Sequence, residues 1–258
     1  MKKLLIAVFV ALGIAGQFAG GTRADESREL TVFAAASLRE SFEDFAKVFA
    51  AKTPGMKVRL NLAGSQELRT QIEHGARADV FASADQKHMV ALLKAELVGT
   101  PRVFVRNTPV IIVPKGNPAK VTSFESLPTA KKIVIGVPEV PIGTYTLEIL
   151  DKAGKDFKDK VLAHVVSREL NVRQVMAKVS LGEADAGIVY KTDAMAAKDK
   201  VEIIEIPAKV NVVAEYPVAV VAKAPQAASA KAFVDLLLSA DGQKRLAAAG
   251  FGPTSLPV

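Results

Sequence analysis

Thr31-Val32-Phe33-Ala34-Ala35-Ala36-Ser37-Leu38-Arg39-Glu40-Ser41-Phe42 changes its hydrophobic period part-way along. Thr31, Val32 and Phe33 favour a strand, three alanines follow, and Leu38, Phe42, Phe45 and Phe49 then fall at helical spacing. A strand therefore runs directly into an amphipathic helix. Ser37 stands at the junction and Glu40 three residues later completes a Ser-x-x-Glu capping box, so Ser37 is expected to cap that helix. A helix N-terminus offers unpaired N–H groups and a partial positive charge, which together suit an anion, and small residues before it let a guest approach the backbone. A single serine of this kind is usually a cap and nothing more. Its weight comes from repetition.

The pattern recurs at once. Residues 57–62, with Val58, Leu60 and Leu62 alternating, read as a strand that runs into Ala63-Gly64-Ser65 and a helix ending near Gly75. Residues 78–83 form a short buried strand, and Asp85 starts a helix with Met89, Leu92 and Leu93 as its apolar positions. Strand-to-helix units in such quick succession predict mostly parallel sheets covered by helices, with ligands at the carboxyl ends of the strands. Ser37 and Ser65 lie at such ends.

Further along, residues 103–114 are β-rich and stop at the turn Pro114-Lys115-Gly116-Asn117-Pro118. Residues 133–137 are a strand, and the rigid loop Pro138-Glu139-Val140-Pro141-Ile142-Gly143-Thr144-Tyr145 is predicted to open a helix over 146–153. After a strand at 163–167, Asn171 caps a helix over 172–181 with Gln174 in the reciprocal position. Residues 186–190 form a strand ending on the phenol of Tyr190, which taken alone reads as a half-buried core tyrosine. Strands at 201–206 and 218–221 and helices at 231–238 and 241–249 close the chain. Chain crossings near Asn107 and between Val210 and Glu215 divide it into one half of residues 25–107 plus 214–258 and another of 108–213.

Residues 1–24 read as a cleavable export leader. Lys2 and Lys3 precede an apolar stretch over 4–14, and Thr22-Arg23-Ala24 is a small-x-small site, placing cleavage near Ala24. That apolar stretch is too short to span a bilayer. The chain has no cysteine, hence no disulfide framework, no lipoprotein anchor and no thiol nucleophile, and an exported protein of this composition fits a bacterial periplasm. Its formal charge of +7 falls to +4 without Lys2, Lys3 and Arg23. The basic residues are scattered and Trp is absent, so no nucleic-acid footprint is present.

Four helix N-termini, after Ser37, Ser65, Gly143 and Asn171, and the Tyr190 phenol all follow strands in the same manner. Together they point to a buried oxyanion held by neutral donors, with no lysine, arginine or carboxylate of these stretches facing it. Catalytic chemistry has little support. His74, His88 and His164 show no metal-ligand spacing, there is no Gly-x-Ser-x-Gly elbow and no phosphate loop, and Ser37 and Ser65 lack a base. No catalytic residue, cofactor or protein ligand to a metal cation is expected.

Six segments carry a family resemblance: Val32-Phe33-Ala34-Ala35-Ala36-Ser37-Leu38, Ala63-Gly64-Ser65, Ala78-Asp79-Val80-Phe81-Ala82-Ser83-Ala84-Asp85, Asn171-Val172-Arg173, Gly187-Ile188-Val189-Tyr190 and Glu215-Tyr216-Pro217-Val218-Ala219-Val220. In this order they resemble the periplasmic molybdate-binding proteins of bacterial molybdate ABC transporters. The resemblance implies a two-lobed periplasmic-binding-protein fold of type II, α/β, closing on molybdate or tungstate, and a monomer that hands the ion to an inner-membrane ABC permease. It implies as donors the hydroxyls and amides around Ser37 and Ser65, the amides at Ile142 and Val172, and the hydroxyl of Tyr190. Two positions depart from the family pattern: Ile142 replaces an alanine, and Gln66 stands where Ser or Gly is usual. The competing expectations are a receptor for another tetrahedral oxyanion such as sulfate and, behind it, an enzyme on the same fold.

Overall fold

The computed structural model describes residues 28–254. The expected leader, residues 1–24, lies outside the described residues. The first of two five-stranded sheets contains β1 (Arg28–Ala35), β2 (Met56–Ala63), β3 (Val80–Ala82), β4 (Arg102–Asn107) and β10 (Ala214–Val220), in the order β2-β1-β3-β10-β4. The second contains β5 (Pro109–Pro114), β6 (Ile133–Gly136), β7 (Val165–Glu169), β8 (Ala186–Tyr190) and β9 (Val201–Ile204), in the order β7-β6-β8-β5-β9.

The two orders are one topology used twice. In each sheet three neighbouring strands run parallel, β2-β1-β3 and β7-β6-β8, and one strand is reversed against both its neighbours, β10 in the first and β5 in the second. The reversed strand is in both cases the one that the chain enters on crossing from the other sheet. Only Thr108 separates β4 from β5, so the β-rich stretch expected over 103–114 is two strands in different sheets. Asn107 fixes that corner: its side-chain carbonyl accepts from the Thr108 N–H at 3.0 Å, and its amide donates to Thr192 Oγ1 at 2.8 Å.

Helices cover both sheets. They are α1 (Arg39–Lys52), α2 (Ser65–Glu73), α3 (Gln86–Lys94), α4 (Pro141–Ala153), α5 (Lys155–Leu162), α6 (Val172–Ser180), α7 (Lys191–Ala196), α8 (Ala227–Leu238) and α9 (Ala240–Ala248). The apolar stripe of α1 does what its spacing predicts. Phe42, Phe45 and Phe49 are buried, and Phe42 meets Phe104 of β4 and Phe233 of α8 edge-on, with ring centroids 5.9 Å apart in each pair. Such edge-to-face pairs match the positive rim of one ring to the negative face of another. Among the described residues no helix is long and apolar enough to cross a membrane.

Two expectations need correction. Helix α4 starts at Pro141, five residues before the expected Thr146, because proline at the first helical position has its φ preset and loses no hydrogen bond there. Gly143 is consequently not a loop residue but part of the first turn of α4. An added Cβ there would lie 1.9 Å from the Val137 carbonyl oxygen, so only glycine lets the helix start sit against the end of β6.

Truncating Phe42 to alanine removes the ring that joins α1 to both β4 and α8. The expected cost is about 3–5 kcal/mol, read as a lower urea midpoint with an unchanged slope.

Candidate functional site

The carboxyl ends of the parallel strands of both sheets face each other across one cleft. From the first sheet come Ala35, Ala36 and Ser37 after β1, Ala63, Gly64 and Ser65 after β2, and Ala84 after β3. From the second come Val140, Pro141 and Ile142 after β6, Asn171 and Val172 after β7, and Tyr190 at the end of β8. These residues surround about 210 Å³ of empty space, part of it open to solvent, and none carries a charge. Ser37, Ser65, Ile142, Val172 and Tyr190 are thus brought together at one place. Ala84 and Val140, which lie in the quoted stretches but are not among the expected contacts, complete the lining.

Each element leaves particular donors free. Ser37 does not cap α1, contrary to expectation. It sits inside a short 3₁₀ turn, Ala36–Leu38, no side chain caps α1, and Glu40 is drawn across the cleft to Arg173 instead of reaching back to Ser37. Released from capping, the Ser37 hydroxyl pairs with the Tyr216 hydroxyl at 3.0 Å. If Tyr216 donates in that pair, the Ser37 proton is free for a guest. Ser65 likewise is the first helical residue, not the cap, a place taken by Gly64. The Ser65 oxygen accepts from the Ala84 N–H at 3.0 Å, which leaves its proton to donate elsewhere.

In the second half, Asn171 caps α6 as its position predicts. Its side-chain oxygen takes the N–H groups of Arg173 at 3.0 Å and Gln174 at 3.2 Å and leaves that of Val172, the first helical residue, which lines the cleft. Gln174 accepts from the Leu170 N–H rather than from Asn171, one residue off the reciprocal capping bond. Ile142 is fully buried. A Cβ on Gly136 would lie 3.0 Å from its Cγ2, so the bulkier side chain is accommodated over a glycine of β6.

Tyr190 is 1% exposed and its hydroxyl has no hydrogen-bond partner. Burial pushes its phenol well above the usual range, reinforced by Tyr216 and Tyr145, so it remains a protonated donor. The three tyrosines form a line of edge-on contacts, 6.4 Å from Tyr145 to Tyr190 and 5.6 Å from Tyr190 to Tyr216. Tyr190 and Tyr216 belong to different sheets, so the aromatic contact itself crosses between the halves.

Three polar contacts also bridge the cleft. Gln66 Nε2 donates to the Leu170 carbonyl at 2.8 Å, His88 Nε2 meets the Glu139 carbonyl at 2.9 Å, and Arg173 pairs with Glu40. Burial holds His88 below the ordinary histidine range against the pull of Asp85, so it is neutral and its Nε2 carries the proton given to Glu139. His74 and His164 lie elsewhere, and among the described residues no cluster of His, Cys, Asp and Glu could hold a metal ion.

Comparison with known proteins adds the lineage. The model for the bacterial extracellular solute-binding protein family matches residues 30–252. The chain belongs to that family. It is 40% identical to the molybdate-binding protein ModA of Mycobacterium tuberculosis, over 97% of this chain and 95% of that one. The corresponding figures for ModA of Escherichia coli are 37%, 92% and 93%. Among solved structures, the substrate-binding domain of a putative molybdenum ABC transporter from Clostridium difficile superposes with a TM-score of 0.67 at 33% identity, covering 88% of this chain and 99% of that one. The superposition on the solved substrate-binding domain shows that this solute-binding protein shares its α/β fold.

Behind the cleft, Asp193 of α7 is fully buried beside Arg173, and burial pushes its carboxyl up to about 7, opposed by Arg173 and assisted by Glu40. Its native form thus keeps a proton that the unfolded chain gives up near pH 4. The contribution of Asp193 to stability is therefore expected to fall as pH rises from about 4 to about 7 and to level off above. Thermal unfolding of the wild type and Asp193→Asn across that range checks this: the wild-type slope should be lost in the variant.

Proposed function

We propose that this protein is a periplasmic receptor that captures molybdate, and tungstate with it, between its two halves and delivers the ion to an inner-membrane ABC permease. The proposal takes residues 25–107 plus 214–258 and 108–213 as the two lobes, and Ser37, Ser65, Ile142, Val172 and Tyr190 as the contacts of the ion. It also takes the protein to act as a monomer exported with a leader cleaved near Ala24, without cofactor and without catalytic residues. The carrying observation is the buried Tyr190 hydroxyl, which has no partner and lines the cleft with Val172, whose amide the Asn171 cap does not take. A buried donor without an acceptor costs about 1–3 kcal/mol, a cost that an anion in the cleft removes. The names of the relatives that match nearly the whole chain supply the identity of the anion.

The physical mechanism needs no charged partner. Molybdate is a dianion at neutral pH, and a hydrogen bond to an ionised acceptor contributes roughly 1.5–3 kcal/mol. Several such bonds from fixed neutral donors offset the loss of water. Because Ser37 and Ser65 stand on one half and Ile142, Val172 and Tyr190 on the other, neither half alone surrounds the ion. Contacts with the second half therefore favour closure.

Sulfate is the competing ligand, since it too is a fully ionised tetrahedral dianion and suits neutral donors. Hydrogen phosphate is not, because its O–H would find no acceptor in a site of donors, at about 1–3 kcal/mol. Calorimetry against molybdate, tungstate, sulfate and phosphate tests the assignment. Tight molybdate and tungstate binding with weak sulfate and phosphate binding is expected, and sulfate binding as tight as molybdate would reassign the ligand.

Two substitutions probe the site directly. Tyr190→Phe removes one donor and leaves the ring contacts, so molybdate affinity should drop by about 1.5–3 kcal/mol, roughly ten- to a hundredfold. Gly64→Ala places a Cβ 2.4 Å from the Gln66 side chain, which can swing aside, and 2.5 Å from the Leu170 backbone carbonyl across the cleft, which is relieved by the halves moving apart. Overpacking of that kind costs about 1–3 kcal/mol, and titration with molybdate should show it as lost affinity in a protein that still melts cooperatively.

A further inference from the structure

We propose that Arg173 is a positioning residue for anion capture, a latch whose guanidinium joins the first turns of three helices at the site and holds the two halves shut. Arg173 lies in the first turn of α6, next to the Val172 amide. Its Nε is 2.9 Å from Oδ1 of Asp193, in the first turn of α7, which Tyr190 precedes. Its terminal nitrogen reaches Glu40, in the first turn of α1, two residues beyond the turn that holds Ser37. One cation therefore ties the backbone segments of Ser37, Val172 and Tyr190. This inference rests on the reading of the cleft as an oxyanion site.

The three partners are not equivalent. Asp193 is fully buried, and among the described residues Arg173 is the opposite charge placed against it. An ionised carboxylate left unpaired at full burial is strongly unfavourable, and the protonated form that burial favours still turns its carbonyl oxygen to the guanidinium, so the Arg173–Asp193 contact holds whether the cleft is open or shut. Glu40 is different: its side chain is 53% exposed and belongs to the opposite half, so its contact with Arg173 exists only when the halves meet. A pair made only in the closed form stabilises that form alone, and it acts on the rate at which the ion escapes. A guanidinium suits the task because its planar fork serves two carboxylates at once, as an ammonium does not.

The neutral Glu40→Gln variant tests this, since it alters a half-exposed side chain and leaves the buried pair intact. The chain has no cysteine and no tryptophan, and its three tyrosines line up at the cleft, so tyrosine fluorescence reports on binding without added probes. Stopped-flow measurement should show molybdate leaving Glu40→Gln roughly three- to tenfold faster than wild type, as for the loss of a partly exposed charge pair, with association unchanged. Wild-type release should quicken with added salt and the variant's should not. Arg173→Lys, which keeps a cation beside Asp193, should release as fast as Glu40→Gln, and the double variant should be no faster than either. Equal release from wild type and Glu40→Gln, or an undiminished salt dependence in the variant, would overturn the latch.

A second readout needs no ligand. Spin labels on Lys47→Cys in α1 and Lys160→Cys in α5, both exposed, report the separation of the halves. Glu40→Gln should shift the distances outward, and identical distributions would again overturn the proposal. Failure of wild type to bind molybdate in the same experiments would instead remove the assigned ligand, while the distances still judge the latch.

Discussion

A charge taken out of water has to be met by something, and every residue lining this cleft is neutral. Moving a bare anion into a low-dielectric interior costs tens of kcal/mol in the idealised limit, whereas one fixed dipole returns only roughly 1.5–3 kcal/mol. Many dipoles must therefore converge on one point, and helix starts supply them in groups. A parallel strand that turns directly into a helix brings such a start to the edge of its sheet. Three adjacent parallel strands in each half do this, and in the first half alanine or glycine stands at the turns so that backbone can come close. The repeated strand order of the two sheets is the consequence of that demand: a guest surrounded on all sides needs the same edge twice, face to face.

The reversed strands make the arrangement possible. β5 and β10 are the points where the chain changes sheet, and each occupies an inner position in its new sheet. The crossings are thus anchored in the cores of both halves, and Asn107 adds a corner held to Thr192 of α7. The same geometry places Tyr216 of β10 opposite Tyr190 of β8, giving the cleft floor an aromatic contact that both halves share. Hinge, floor and donors are consequently parts of one structure.

Much of this was legible in the residues. The change from strand to helical period at Ser37 and again at Ser65 located two site edges, Asn171 located a third, and the alternation of short strands and helices predicted the sheet class. The parts that were not legible share a cause. A capping box is a local rule, and at Ser37 it lost to two distant partners, Tyr216 for the hydroxyl and Arg173 for Glu40. Helix α4 was expected too late because two prolines and a glycine suggest a loop, although a proline at the first position and a glycine under a carbonyl also begin a helix. The β-rich stretch 103–114 divides at a single residue, too short a break for periodicity to register. Helices α5 and α7 have eight and six residues, too few for a 3.6-residue repeat to be read.

The placement of charge completes the account of the proposed receptor. A lysine or arginine inside the cleft would attract any anion, and its field would fall on chloride or phosphate as on molybdate. Dipoles set at fixed positions respond to the guest's shape and to its protonation, so discrimination follows from geometry. A carrier must also give up its cargo, and a full charge at the site would oppose release in every conformation. Arg173 stands one layer behind the donors, with its charge engaged by Asp193 and Glu40. There it acts on the fit between the halves and leaves the anion to the dipoles, and opening the halves disperses those dipoles together.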